Sequence, residues 1–244
     1  SLIPGILKAI YWNINSKHRD LNLFEIGNVY RSCEKNNVIE EPHLAMAMSG
    51  AAETGWLSRK RMISFFDLKG VFVVLTEKLG IEVTFTPTDK IPYFSTAASI
   101  RYEDNIIGSV GRLEKEILDK FDIDEDVYLL EISIKDMIKE AVLEKKFRAI
   151  PRFPSIMRDI SLVCGRDVTA ESLLNAMREA SSDMVKGITL VDKYAGKQIP
   201  EGFQGLLYRI EYRDDSRTLT DKAVEEIHNR IKGNLSSKLG VSFR

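Results

Sequence analysis

Cysteine is nearly absent. Cys33 and Cys164 are the two in 244 residues, and they lie far apart in the chain. That spacing gives no disulfide framework and fits a reducing, cytoplasmic compartment. Histidine is as scarce, and His18, His43 and His228 share none of the spacings that zinc ligation uses. No run of about 18 apolar residues occurs, which argues against a membrane-spanning helix. The opening Ser1-Leu-Ile-Pro-Gly5 lacks a signal-peptide pattern. It also lacks an initiator Met, which points to a processed chain or an excised fragment. A Walker loop, a dinucleotide-binding glycine fingerprint and a metalloprotease helix are all missing, so no strong catalytic motif is present.

What is there is ordinary in bulk and uneven in distribution. Hydrophobic residues make up 44% and charged residues 29%, as in soluble globular domains. The length suits one or two domains. Residues 1–147 carry 19 Lys and Arg against 23 Asp and Glu, whereas residues 148–244 carry 16 against 13. The mildly basic tail permits phosphate contact without demanding it. The stretch Glu144-Lys-Lys-Phe-Arg-Ala-Ile-Pro-Arg-Phe-Pro154 combines a charge cluster with two prolines and reads as a joint. The expected division is therefore residues 1–147 and residues 151–244.

Before the joint, apolar residues at Ile6, Leu7, Ile10 and Tyr11 mark a helix over 4–14. Strands are expected at 21–30 and 43–50. A helix over 65–79 follows, with Leu68, Phe72, Leu75 and Leu79 on one face and Gly80 to stop it. Further strands are expected at 83–86, 97–102, 106–110 and 127–132, with a hairpin loop at Glu103-Asp104-Asn105 and a short helix over 113–121. Short turns joining several strands indicate an α+β domain with a mostly antiparallel sheet. Gly108 and Gly111 read as a strand passing into a turn. The acidic run Asp122–Asp126 reads as a solvated loop, because calcium loops need regular ligand spacing.

After the joint the order is strand 156–163, helix from an N-cap at Thr169, strand 185–194, strand 206–212, helix from Thr220 and a closing strand 241–243. Leu206, Tyr208, Ile210 and Tyr212 share one strand face, so both tyrosines are expected in the core. Leu219 can staple onto Val224 across the Thr220 cap. This order is the ferredoxin-like βαββαβ pattern. Such domains grip RNA, and they also bind free amino acids at paired interfaces. The second possibility gives an alternative reading as a regulatory module, which the fold alone does not decide.

Leu23-Phe-Glu-Ile-Gly-Asn-Val-Tyr-Arg31 resembles the second signature strand of class II aminoacyl-tRNA synthetases, with Arg31 at the position of their ATP-contacting Arg. The third signature is not found, since Glu114 stands where an Arg is wanted after Gly108 and Gly111. More specific segments are Phe66-Asp-Leu-Lys-Gly70, Ile107-Gly-Ser-Val-Gly-Arg-Leu113, Phe153-Pro-Ser-Ile-Met-Arg-Asp159, Val191-Asp-Lys-Tyr-Ala-Gly-Lys197 and Arg217-Thr-Leu-Thr-Asp221. In this order the chain resembles the C-terminal portion of the bacterial phenylalanyl-tRNA synthetase beta-subunit family.

That resemblance implies a noncatalytic synthetase-like domain followed by an anticodon-binding domain. It also implies a partner alpha subunit in an (αβ)2 enzyme that charges phenylalanine tRNA with ATP and magnesium. No cofactor or metal is expected in this chain, and alone it is expected to charge no tRNA. Anticodon bases are read by stacking and by hydrogen bonds to their edges. The candidate contacts are Arg152, Phe153, Ser155, Arg158, Tyr194, Lys197 and Gln204. Phe153 alternatively belongs to the core, and Arg158 alternatively pairs with its neighbour Asp159. The chain departs from the family pattern at Phe203-Gln-Gly205, where Lys-Ser is usual, and at Arg112-Leu-Glu-Lys115, where Glu-Leu-His-Pro is usual.

Overall fold

The computed structural model describes residues 1–32, 37–52, 61–142, 144, 147, 149–194 and 199–244. It divides into two compact units, Ser1–Lys146 and Phe147–Arg244.

The first unit begins with helix α1 (Ile3–Asn15), started by a proline in its first turn, where no N–H is missed. Strands β1 (Leu21–Ser32) and β2 (Val38–Ser49) form a long antiparallel hairpin. Pro42 lies inside β2, which explains why the strand read from sequence begins only at His43. Its missing N–H breaks no ladder, because β2 pairs with the next strand only from His43 onward. Helix α2 (Phe65–Leu79) starts at a Ser64–Asp67 capping box and stops at Gly80, whose φ of 70° is left-handed. Asp67 accepts from Ser64 N at 2.8 Å and takes a two-pronged bond from Arg61 at 2.8 and 2.6 Å. The Arg61 guanidinium, with help from Ser64, holds the Asp67 carboxyl far below its usual range.

The remaining elements of this unit are β3 (Val83–Thr88), β4 (Phe94–Tyr102), β5 (Asn105–Leu113), α3 (Lys115–Asp119), β6 (Val127–Ser133) and α4 (Lys135–Glu140). The strands make a six-stranded sheet in the order β1-β2-β6-β5-β4-β3, antiparallel throughout. Successive residues of β6 serve opposite faces. Leu129 joins Ile6, Leu7 and Ile10 of α1, whereas Leu130 and Ile132 join Leu68 and Phe72 of α2. Burying each such aliphatic side chain contributes about 1.5–3 kcal/mol. On the α2 side, that helix packs across β2, β5 and β6. The adjacent part of β1 carries Phe24, Ile26 and Tyr30, which stay 71%, 63% and 65% exposed.

Gly108 and Gly111 lie in the body of β5 and not at a turn. A Cβ on Gly108 would sit 2.1 Å from the Glu131 carbonyl oxygen of β6, and one on Gly111 would sit 2.5 Å from the Phe94 ring. Close approach of neighbouring chain, not turn geometry, is what these glycines allow. The short α4 has no counterpart in the sequence reading.

The second unit contains β7 (Ile156–Gly165), α5 (Ala170–Glu179), β8 (Val185–Tyr194), β9 (Phe203–Tyr212), α6 (Asp221–Leu239) and β10 (Ser242–Phe243). Its sheet order, β10-β7-β9-β8, is the ferredoxin-like arrangement. Both helices start on threonine caps. Thr169 Oγ1 accepts from Ser172 N at 3.1 Å, and Thr220 Oγ1 accepts from Ala223 N at 3.3 Å. One sheet face and both helices bury Ile160, Leu162, Leu173, Met177, Tyr208 and Ile231 among others. Arg230 and Asn234 of α6 donate to the carbonyls of Ala180 and Ala176, which closes the open end of α5.

Tyr212 and His228 form a buried polar pair in this core. The Tyr212 hydroxyl lies 3.0 Å from His228 Nδ1, and burial pushes the phenol up to about 12. Burial first, then Lys232 and Arg158, lowers the His228 pKa, against a small opposing effect of Glu225. The folded state therefore binds a proton at His228 less readily than the unfolded chain, whose value is 6.5. Stability from this site is full above that unfolded value and is lost as pH falls through it toward the depressed folded value. Urea midpoints measured between pH 7.5 and pH 5 are expected to drop for the native chain. A His228→Gln variant should lack that component of the slope, and an identical slope in both would contradict the expectation.

Candidate nucleic-acid interface

Both helices of the second unit pack on one face of its sheet, and among the described residues of this unit no helix covers the other, open face. Strand parity places Met157, Asp159 and Ser161 of β7 on that open face. Opposite them in register lie Glu211, Arg209 and Leu207 of β9, and then Gly187, Thr189 and Asp192 of β8. Gly205 and Tyr194 form the next level of the same ladder.

The absence of a side chain at Gly205 shapes this end of the face. A Cβ there would meet Tyr194 Cε2 at 2.3 Å and Cζ at 2.6 Å. The Tyr194 ring thus lies across the sheet over Gly205. Its hydroxyl reaches Ser161 Oγ at 2.6 Å, which fixes the ring from its far end. One level along the strands, Arg209 Nε and Nη2 donate to the two Asp159 oxygens, each at 2.8 Å. The side chains of that pair remain 48% and 41% exposed. Arg209 holds the Asp159 carboxyl below its ordinary range, and Asp159 raises the Arg209 guanidinium in turn.

The sequence candidates do not converge on one spot. Tyr194 is on the open face. Gln204 is on the opposite side, where its Nε2 donates to the Val168 carbonyl at 3.1 Å and holds the β7–α5 loop. Arg158 also points to the helix side and donates to Asp221 Oδ1 at 2.6 Å, at the first turn of α6. The alternative pairing with Asp159 does not form, because consecutive strand residues face opposite ways. Arg152 is exposed, and Phe153 and Ser155 are half-buried, all just ahead of β7. From Arg158 to the level of Gln204 is six residues of β7, about 20 Å. Lys197 lies outside the described residues. Missed by the sequence reading are Ser161, Asp159 and Arg209, whose partners are far away in the chain.

The other singled-out features are structural. Arg31 is exposed and lies 4.0 Å from Glu41. In the acidic run, Asp124 and Glu125 accept from Arg19 at 3.4 and 2.5 Å. Among the described residues no group of three His, Cys, Asp or Glu is placed to hold a metal ion. No described helix is long and apolar enough to cross a membrane. Arg217 donates to Asp214 Oδ2 at 3.1 Å, and the Ser216 hydroxyl and amide hold the Asp214 carboxyl down at about 2.

The chain thus joins an antiparallel six-stranded sheet with a helix layer on each face to a ferredoxin-like unit with helices on one face of its sheet, and family models name both parts as a synthetase-type module with an anticodon-binding domain. Residues 151–244 match the ferredoxin-fold anticodon binding domain family, and residues 1–134 match the phenylalanyl tRNA synthetase beta chain CLM domain. The chain belongs to the phenylalanyl-tRNA synthetase beta-chain family. The phenylalanine–tRNA ligase beta subunit of Symbiobacterium thermophilum is 34% identical over 247 residues, covering 100% of this chain and 28% of that protein. Those of Bacillus cereus and Dehalococcoides mccartyi are 32% and 33% identical, again over 100% of this chain but 31% and 30% of theirs. The chain thus spans under a third of the length of the curated relatives it matches. Among solved structures, pyrrolysyl-tRNA synthetase from Desulfitobacterium hafniense gives a TM-score of 0.43 at 16% identity, covering 57% of this chain and 47% of that one. That likeness is weak.

Proposed function

We propose that this chain is the RNA-gripping and assembly portion of a cytoplasmic phenylalanine–tRNA ligase, with catalysis in a partner alpha subunit of an (αβ)2 enzyme. ATP and magnesium belong to that partner in this reading, and the chain alone charges no tRNA. The observation that carries the RNA part is the open sheet face with the Tyr194 ring laid over Gly205 and fixed by Ser161. A ring fixed in this way is a stacking surface for an unpaired base, which is how single-stranded loops are read. The exposed Phe24, Ile26 and Tyr30 of β1 support the assembly part, since apolar patches of this kind mark contact surfaces. All the sequence candidates, Arg152, Phe153, Ser155, Arg158, Tyr194, Lys197 and Gln204, stay proposed contacts, with Arg158 also donating to Asp221 and Gln204 to the Val168 carbonyl.

The test is binding of the 244-residue chain to a phenylalanine tRNA anticodon stem-loop, and to the same loop with the anticodon changed, over a range of salt. Tighter binding to the native loop at every salt concentration is expected. Equal binding to both would leave only a nonspecific basic surface.

A further inference from the structure

The Asp159–Arg209 pair stands out among the ion pairs of the second unit because it sits on the open face and one level from the Tyr194–Ser161 pair. The Tyr194 ring lies over Gly205, four residues from Arg209 on β9, so ring and guanidinium stand about 13 Å apart along the strands, with the Ser161 level between them. The fork to Asp159 uses Nε and Nη2 and fixes the guanidinium plane. The side chain is 48% exposed, so much of its surface is open to solvent. Guanidinium planes stack on bases as aromatic rings do.

The charge on this face argues about which part of an RNA it meets. Asp159, Asp192 and Glu211 share it with Arg209, Arg213 lies 3.4 Å from Glu211, and Arg244 follows the β10 register to the Ser161 level, so carboxylates and guanidinium groups balance there. A path for phosphates needs an excess of cations. The pairing with Asp159 already neutralises the charge of Arg209 and leaves its planar surface as what it offers.

We propose that Arg209, locked by Asp159, is a second nucleotide platform on the same face as Tyr194, taking another unpaired base of the loop whose base stacks on the tyrosine. This rests on the RNA-binding reading above and deepens it. A separation of about 13 Å is well beyond the roughly 3.4 Å step of stacked bases, so the two platforms suit splayed bases of one unpaired loop. Asp159 is a positioning residue here, and Arg209 makes the contact.

The experiment compares the native chain with Arg209→Lys, Asp159→Asn and Tyr194→Ala, using the phenylalanine anticodon stem-loop at several salt concentrations, with thermal melting of each variant. Lysine keeps the charge but has neither the plane nor the fork. Arg209→Lys is expected to weaken binding about tenfold with the dependence of log K on log salt unchanged. Asp159→Asn should weaken it less, and in the same direction. Unchanged affinity in Arg209→Lys would overturn the proposal. So would a salt slope reduced by about one, the signature of a lost phosphate contact. A fall in melting temperature with native affinity for the folded protein would also overturn it, by showing a structural role alone. If the native chain itself ignores the stem-loop, the broader RNA-binding reading fails. If Tyr194→Ala weakens binding and the Arg209 and Asp159 variants do not, only the second platform fails.

Discussion

Tyr194→Ala is expected to reduce affinity for the phenylalanine anticodon stem-loop by about 1–3 kcal/mol, the range found for removing one base-stacking ring. The chain should stay folded. The ring lies on the open face, outside the core that holds Tyr208, Tyr212 and Ile210, and it is tied down by one hydrogen bond to Ser161. Ser161 is itself half-buried, so water can replace the lost hydroxyl, and the effect on stability should be about 1 kcal/mol or less. Tyr194→Phe separates the two contributions. It keeps the stacking surface but frees the far end of the ring, so its affinity should fall between those of the native and alanine forms. Fluorescence anisotropy of a labelled stem-loop, with thermal melts, reads both quantities. Native affinity in the alanine variant would remove Tyr194 from the interface.

The largest stability effect is expected at Gly108→Val, in the first unit. A Cβ there would lie 2.1 Å from the Glu131 carbonyl oxygen and 2.6 Å from Ile132 Cα, with the Ile132 Cγ2 methyl at 2.8 Å. Two of those three atoms are backbone of β6, which is hydrogen-bonded to β2 on its other side. The strands cannot yield without disturbing both ladders. Overpacking of this kind costs about 3 kcal/mol or more, a large share of the roughly 5–15 kcal/mol that holds a domain folded. Urea unfolding followed by tryptophan fluorescence should show the loss, because Trp12 lies in α1 of this unit. A midpoint within error of the native chain would show that the sheet accommodates a side chain there.

The sequence carried those features that one short segment encodes by itself. Leu206, Tyr208, Ile210 and Tyr212 alternate strictly, and all four are buried. Thr169 and Thr220 cap their helices because a hydroxyl beside a free amide needs no distant partner. Gly108 and Gly111 misled for the complementary reason. A glycine that admits a neighbouring strand looks the same in sequence as one that makes a turn, and the neighbour is decided by pairing. The partners of the candidate site are set in the same way. Tyr194 meets Ser161, and Arg209 meets Asp159, through the register of three strands. The sheet face of Gln204 and Arg158 is legible in the sequence. Gln204 shares parity with Leu206, and Arg158 with Ile160, so both belong with the buried side of their strands.

The outer strand of the first unit has a consequence for handling the molecule. β1 runs twelve residues in unbroken register with β2, contains neither proline nor lysine, and has no neighbour on its other edge among the described residues. Natural edges are usually blunted by bulges, prolines or inward charges so that they do not recruit foreign strands. This one is a ready template, with Phe24, Ile26 and Tyr30 displayed beside it. Concentrated on its own, the chain should add strands to itself and come out of solution, and a companion polypeptide seated on that edge during synthesis would act as its solubiliser.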